Sequence, residues 1–184
     1  MRIFSYLCRQ NMKRLEIITE KEIIGSGATV ANDTTEALVW FEKVRQHLQD
    51  GEAVEFSPKG YSMWPALRPA TDTVRLRAAT AYRRSDLVVA RCGEPCGVFL
   101  HRIVEVHPDG VVLMGDSNLY QTERCGFADI AGKVTAVRRD GRDVTGSFSF
   151  GLLSRIQRLP SPLRRIFVRV VNLYLKHKVY AKGK

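Results

Sequence analysis

The sequence VFLHRIVEVHPDGVVLM, residues 98–114, decides the fold class of this chain. Two runs rich in β-branched residues, 98–106 and 110–114, have the length and composition of strands. Pro108-Asp109-Gly110 separates them, and Pro fixes one backbone dihedral while Gly permits a positive φ. The stretch therefore predicts two strands joined by a turn.

Outward from this stretch, the chain from Glu52 to Arg139 continues as short β-rich runs separated by turn residues. Further strands are predicted at Ala53–Phe56, Thr73–Arg77, Asp86–Ala90 and Ala131–Val137. Regularly spaced strands without intervening helices favour a compact, mostly antiparallel arrangement. We therefore expect a mostly β protein, in the sense of a β-rich α+β fold.

One helix is predicted before the strands, over residues 33–50. Asp33 is a suitable N-cap, Glu36 follows three residues later as in a capping box, and Gly51 closes the far end. Apolar residues recur between them at helical spacing, which indicates a face packed on a core: Leu38, Phe41, Val44 and Leu48. A single helix is too little for a helix-turn-helix.

The charge distribution divides the chain into three parts. Residues 1–32 are an N-terminal extension, 33–150 the main domain with its leading helix, and 151–184 a basic tail. The net charge is +10, and the tail holds nine Lys or Arg and no acidic residue, so the rest is nearly neutral. Such asymmetry indicates an anionic partner for the tail. We expect this partner to be a membrane surface rather than nucleic acid.

Within the tail, Pro162 is well placed to begin a helix that runs through Lys178. The helix has a broad apolar face and a basic remainder. The apolar residues are Leu163, Ile166, Phe167, Val170, Val171, Tyr174 and Leu175, and the basic ones Arg164, Arg165, Arg169, Lys176 and Lys178. Two interpretations stay open: an interfacial membrane helix, or a helix that packs on the β domain.

No metal site, cofactor or membrane span is predicted. Cys92 and Cys96 form a C-x-x-x-C pair, but no second pair completes a zinc site, so we expect buried reduced thiols. No apolar run approaches the roughly 20 residues of a membrane span, and no secretory signal begins the chain. The expected location is cytoplasmic, peripheral at the inner membrane face.

The chemically informative segment is Gly60-Tyr61-Ser62-Met63-Trp64-Pro65. It resembles the nucleophile motif of the signal peptidase and LexA-like serine peptidases, a Ser-Met-x-Pro in a turn after a strand. Four further segments resemble that family's motifs in the same order: Asp72-Thr73-Val74, Tyr82 to Val88, Leu100-His101-Arg102-Ile103, and Gly115-Asp116-Ser117-Asn118. Ile130 to Val134 is similar to the closing strand. The resemblance covers about 80 residues, and five motifs in order are a strong signal.

This resemblance implies site residues. Ser62 would be the nucleophile, and its N–H would bind the oxyanion, with Gly60 and Met63 helping to position substrate. His101 stands where other members have a lysine, so it would act as the base. Asp116 would accept a hydrogen bond from the other imidazole nitrogen. For that role Thr122, Glu123 and Asp129 remain alternatives to Asp116. The layout more specifically resembles small soluble members from Bacteroides-type bacteria, and Thr122-Glu123-Arg124-Cys125 fits their Thr-Glu-x-Cys pattern.

Three functions follow as hypotheses. The first is a serine endopeptidase that cleaves a peptide or protein precursor. The second is a LexA-like self-cleaving transcriptional regulator, which would need a DNA-binding helix pair and an Ala-Gly bond upstream of Ser62, whereas residues 27–28 are Gly-Ala. The third is a non-catalytic module that keeps the fold.

The sequence also departs from the signal peptidase pattern at Gly60, because some members of that family place there a hydroxyl that helps to bind the oxyanion.

Overall fold

The computed structural model describes residues 17–19, 34–58, 60–92, 97–145 and 161–180. Within these ranges nine strands form one curled antiparallel sheet, with one helix near each end of the chain, which confirms the mostly β class. The elements are β1 Ile17–Thr19, α1 Thr34–Gln49, β2 Val54–Phe56, β3 Asp72–Arg77, β4 Leu87–Cys92, β5 Gly97–His107, β6 Gly110–Met114, β7 Glu123–Gly126, β8 Ile130–Arg139, β9 Arg142–Asp143 and α2 Ser161–Tyr180.

The sheet order determines which chain segments become neighbours. The strands follow each other as β1-β2-β3-β8-β4-β5-β6-β7, and β9 pairs with β8. Consecutive strands β4, β5, β6 and β7 therefore lie side by side, while β8 is inserted between β3 and β4.

All six predicted strands exist, with ends shifted by a few residues, and three more were not predicted. β1 lies in the N-terminal extension and pairs with β2, with Ile18 opposite Glu55, so these three residues belong to the sheet. β7 is a short strand of mixed composition, Glu-Arg-Cys-Gly, that pairs with β6. Its residues do not alternate in the way that identifies a strand from sequence.

The predicted first helix is present as α1, and its end is the one that Gly51 predicts. Gly51 has a φ of 84°, its N–H donates to the Leu48 carbonyl at 3.2 Å, and the Glu52 N–H donates to the His47 carbonyl at 3.0 Å. This pair of bonds is a Schellman motif. Asp33 lies outside the described residues. Phe41, Val44 and Leu48 are buried on the sheet as expected.

The hairpin between β5 and β6 is tighter than predicted. Pro108 and Asp109 alone form the turn, and His107 lies opposite Gly110 as the first strand pair. Gly110 does not have a positive φ, which corrects the expected reason for a glycine there. A Cβ at Gly110 would lie 2.2 Å from the Cys125 carbonyl oxygen, so glycine permits the close approach of β7.

The helix α2 has one face that is buried on the domain and another that is exposed. Arg164 and Val168 are buried on the domain, so Arg164 does not belong to the solvated basic side. Four apolar side chains, each 54–62% exposed, form a stripe along another face, which we call the exposed stripe: Leu163, Ile166, Val170 and Leu173. The side chains of Val171 and Leu175 lie outside the described residues. Neither α1 nor α2 is long and apolar enough to cross a bilayer.

Candidate active site

Ser62 lies in the segment between β2 and β3, and the residues after it fix that segment to the core. Met63 and Leu67 are buried, and the Leu67 N–H donates to the Met63 carbonyl at 2.9 Å. Ser62 itself is half-buried. The side chain of Met63 thus packs in the core. Gly60 is half-buried at the start of the turn.

An ion pair holds the far end of the Ser62 segment. Arg139 on β8 bonds both carboxylate oxygens of the fully buried Asp72, at 2.6 and 2.9 Å, and donates to the Ala66 carbonyl at 3.1 Å. The same carboxylate accepts the Arg68 N–H at 2.8 Å. The hydrogen bond to Asp72 raises the pKa of Arg139 above its ordinary value. The Asp-x-Val motif of the sequence therefore anchors the segment.

The turn 115–118 contacts the main chain at Ser62 directly. The Ser117 N–H donates to the Ser62 carbonyl at 2.9 Å, and the Ser117 hydroxyl lies 2.9 Å from the Tyr61 carbonyl oxygen and 3.1 Å from that of Ser62. A Cβ at Gly115 would lie 2.7 Å from the Ser62 carbonyl oxygen. Glycine is needed at 115 because any side chain would displace the Ser62 segment.

His101 is paired with Glu123 rather than with Asp116. Its Nδ1 lies 2.9 Å from Oε2 of Glu123, the His101 side chain is 2% exposed, and the centroid of the Phe99 ring lies 5.3 Å from that of the imidazole. Glu123 belongs to β7, opposite Leu113 of β6. A carboxylate accepts only, so the proton of this bond belongs to Nδ1 and the free electron pair of the ring to Nε2.

Asp116 instead binds Arg102, which corrects its expected partner. Its two oxygens accept from Nε and Nη2 of Arg102, both at 2.8 Å, and both side chains are 1% exposed. Successive side chains of a strand point to opposite faces of the sheet. An acid held by Arg102 is therefore on the other side of β5 from His101. Asp116 is better described as a partner that neutralises a buried arginine.

The end of β6 links the strand of His101 to the Ser62 segment. Arg102, the neighbour of His101 on β5, lies opposite Met114, the last residue of β6. The next residue, Gly115, approaches Ser62 so closely that a Cβ there would lie 2.7 Å from the Ser62 carbonyl oxygen. Among the described residues, no hydrogen bond joins the side chains of Ser62 and His101. The Ser62 N–H has no acceptor and the Ser62 hydroxyl has no hydrogen-bond partner among them. Catalytic hydrogen bonds are often long before substrate binds.

Other reactive groups among the described residues lie elsewhere. Lys133 is engaged with Asp86 at 3.3 Å, and Lys59 falls outside the described ranges. Cys92 and Cys125 are buried free thiols, as predicted, while Cys8 and Cys96 are not described. Over the described part of the chain no cluster of metal-binding side chains occurs. A cavity of about 420 Å³ beside the two thiols contains neither Ser62 nor His101; its lining is Arg91, Cys92, Asp109, Arg124, Cys125, Gly126 and Asp129.

The sequence does not reveal the contacts of two residues in this region. Ser117 stands in a predicted motif but binds the main chain of Tyr61 and Ser62, and Glu123, one of several alternative partners for His101, is the one that pairs with it. The Thr-Glu-x-Cys pattern is the available sequence signal for Glu123.

Comparison with known proteins finds no matching family model, and neither a curated protein nor a solved structure matches the chain.

Proposed function

We propose that this chain is a serine endopeptidase that cleaves a peptide or protein precursor, with Ser62 as nucleophile, His101 as general base and Glu123 as the acid that orients the base. The buried His101–Glu123 pair carries the proposal. Burying an imidazole and a carboxylate together is costly, and apolar residues would fill the same space as well. His101 lies on β5, which pairs with β6, and β6 leads directly into the turn that contacts the Ser62 main chain, so this oriented imidazole supports the assignment as general base.

The chemistry follows from these three side chains. Nε2 of His101 takes the hydroxyl proton as Ser62 Oγ attacks the carbonyl carbon of the scissile amide. The resulting oxyanion accepts from the Ser62 N–H, while Glu123 stabilises the imidazolium. The imidazolium then gives its proton to the leaving amine as the C–N bond breaks. Water, activated by the same imidazole, hydrolyses the acyl-enzyme and releases the acid product.

A serine-reactive fluorophosphonate probe tests this proposal, because it labels only a serine activated as a nucleophile. Wild-type protein should be labelled on Ser62, and both Ser62→Ala and His101→Ala should lose labelling while remaining folded. Ser57→Ala is the matched control, since Ser57 is a half-buried serine of the same inter-strand segment. Labelling of Ser62→Ala at the wild-type rate would refute the nucleophile assignment.

The two rival functions give different results in the same experiment. A self-cleaving regulator should produce fragments of its own chain at a rate independent of protein concentration, and Ser62→Ala should prevent this. A non-catalytic module should show neither labelling nor cleavage. An endopeptidase should be labelled, remain intact and cleave members of a peptide library.

For its location we propose attachment to an anionic membrane surface through residues 151–184, with the active site close to the bilayer. The exposed stripe of α2 supports this, because four apolar side chains on one face are left uncovered by the domain. Arg165 and Arg169 lie exposed on the same helix. An apolar stripe flanked by basic residues suits the boundary between acyl chains and anionic headgroups.

A further inference from the structure

The helix α2 reaches the candidate active site through Arg164. The guanidinium donates from Nη1 to the Leu119 carbonyl at 3.1 Å and from Nη2 to the Asn118 carbonyl at 2.5 Å, and it also contacts the Met114 sulfur. Arg164 is only 9% exposed. Burial lowers the pKa of Arg164 below its ordinary value, while the nearby Asp116 carboxylate acts in the opposite direction.

Of the two carbonyl groups that Arg164 binds, that of Asn118 belongs to the 115–118 turn that contacts Ser62, and that of Leu119 directly follows this turn. Asn118 closes this turn by donating its N–H to the Gly115 carbonyl at 3.0 Å. The residue before it, Ser117, makes the three contacts with the Tyr61 and Ser62 carbonyls described above. Arg164 is therefore separated from the Ser62 main chain by one turn of four residues.

A second contact joins α2 to the same segment. The Tyr174 ring stacks on the Trp64 ring, with centroids 5.3 Å apart and planes inclined by 21°. Trp64 follows Ser62 by two residues, and its N–H donates to the Tyr61 carbonyl at 3.0 Å. The helix thus touches the Ser62 segment from one side through an aromatic pair and holds the opposing turn through Arg164.

We propose that Arg164 is a positioning residue of the active site: by binding the Asn118 and Leu119 carbonyls it fixes the 115–118 turn against the Ser62 carbonyl and so places the Ser62 hydroxyl for attack. This inference rests on the proposed peptidase function. A displacement of about 1 Å at a reacting group can cost about 10²-fold in rate. Charged donors bind main-chain carbonyls more strongly than neutral ones, which suits Arg164 to this purpose.

The rate constant for fluorophosphonate labelling of Ser62 in the full chain tests the proposal. Arg164→Ala should label about 10²-fold more slowly than wild type, and free guanidinium at millimolar concentration should restore part of the rate by occupying the vacated site. Arg164→Lys should also be slow, because an ammonium lacks the planar fork that reaches two carbonyls. Val168→Ala is the matched control, since Val168 is fully buried on the same helix and donates no side-chain hydrogen bond.

Rates are compared per folded molecule, with thermal unfolding measured in parallel. The proposal is supported if Arg164→Ala is slow, guanidinium accelerates it, and Val168→Ala keeps a rate within about twofold of wild type after its loss of stability is taken into account. Equal effects of Arg164→Ala and Val168→Ala, or a failure of guanidinium to act, would overturn it. If Arg164→Ala does not fold, Arg164→Lys decides: a wild-type labelling rate overturns the proposal. Absence of labelling in wild type removes the peptidase function and this inference with it.

Discussion

Nδ1 of His101 lies 2.9 Å from Oε2 of Glu123, and both side chains are almost completely buried in the sheet. The second oxygen, Oε1, has no hydrogen-bond partner among the described residues. This carboxylate therefore serves the imidazole alone within the described structure. It keeps the Nδ1 proton in place and leaves Nε2 as the basic nitrogen, which is the tautomer that a base directed at Ser62 requires.

Glu123→Gln should reduce the labelling rate and kcat/KM by about 10²–10⁴-fold with little change in fold, because the amide keeps the shape but loses the charge that stabilises the imidazolium. Asp129→Asn is the control. Asp129 was another candidate for the same role, but it pairs with Arg91 at 2.9 Å and is partly exposed. Steady-state kinetics should give Asp129→Asn a kcat/KM close to that of wild type. Comparable losses in both variants would contradict the assignment of Glu123.

Asp116→Asn should act mainly on stability. Removing one charge of the buried Arg102–Asp116 pair leaves an uncompensated guanidinium, which costs about 3–5 kcal/mol in the free energy of unfolding. Asp109→Asn is the comparison, because its pair with Arg124 is largely exposed and contributes about 0–1 kcal/mol. Urea denaturation measures both. If Asp116→Asn leaves stability unchanged and instead abolishes activity, Asp116 is a catalytic residue as the sequence suggested.

The tail should bind anionic vesicles in a salt-sensitive manner. Each basic side chain near such a surface contributes about 1 kcal/mol, and the exposed stripe adds apolar burial. Co-sedimentation with phosphatidylglycerol and phosphatidylcholine vesicles at low and high salt measures this. Ile166→Asp combined with Leu173→Asp should abolish binding. Val39→Asp should leave binding unchanged, although Val39 on α1 is exposed to a similar extent as Ile166 and Leu173. Equal, negligible binding of wild type to both lipids would exclude the membrane surface as partner.

Stability should depend on pH through Cys125. A hydrogen bond with the Cys92 thiol lowers the pKa of Cys125, and burial opposes this effect without cancelling it. The folded protein therefore loses this proton at a lower pH than the unfolded chain. Between the lowered pKa and the ordinary value of 9.0 the unfolded state binds more protons, so the free energy of unfolding should rise with pH. This contribution is fully present above pH 9.0 and is lost as the pH falls from there through the folded pKa of Cys125.

Urea denaturation under reducing conditions across this pH range tests the dependence on Cys125. In Cys92→Ala the rise should be weaker, because the stabilising hydrogen bond is gone. If the free energy of unfolding changes with pH in the same way in wild type and in Cys92→Ala, the thiol pair does not link stability to pH.

The sequence predicted those features that depend on local chemistry. The strands from 53 to 137 follow from β-branched composition between turn residues, and the end of α1 follows from the φ that Gly51 alone adopts easily. Gly115 and Ser117 are present in a motif whose order was recognised. Their contacts with the Ser62 segment could not be predicted, because these contacts join two turns separated by more than fifty residues in the chain.

The acidic partners of His101 and Arg102 are the clearest example of contacts that the sequence does not predict. Sequence order suggested Asp116 for His101, since it follows in a motif, and left Glu123 as an alternative. In the sheet His101 and Arg102 face opposite sides of β5, so each requires its own acid. Asp116 binds Arg102, and β7, a strand without a recognisable pattern, carries Glu123 to His101.

By itself, then, the sequence determined a mostly β fold, a leading helix, a basic tail and a serine in a turn, because each arises from interactions between residues close in the chain. The tertiary structure decided which acid meets the histidine, that Met63 belongs to the core, and that Arg164 of the tail lies against the turn at Ser62. Those outcomes depend on strand order and register, which bring together residues as far apart as 62 and 117 or 118 and 164. The pairing of strands that are distant in the chain is not encoded in a local pattern, because strands of similar composition compete for the same partner.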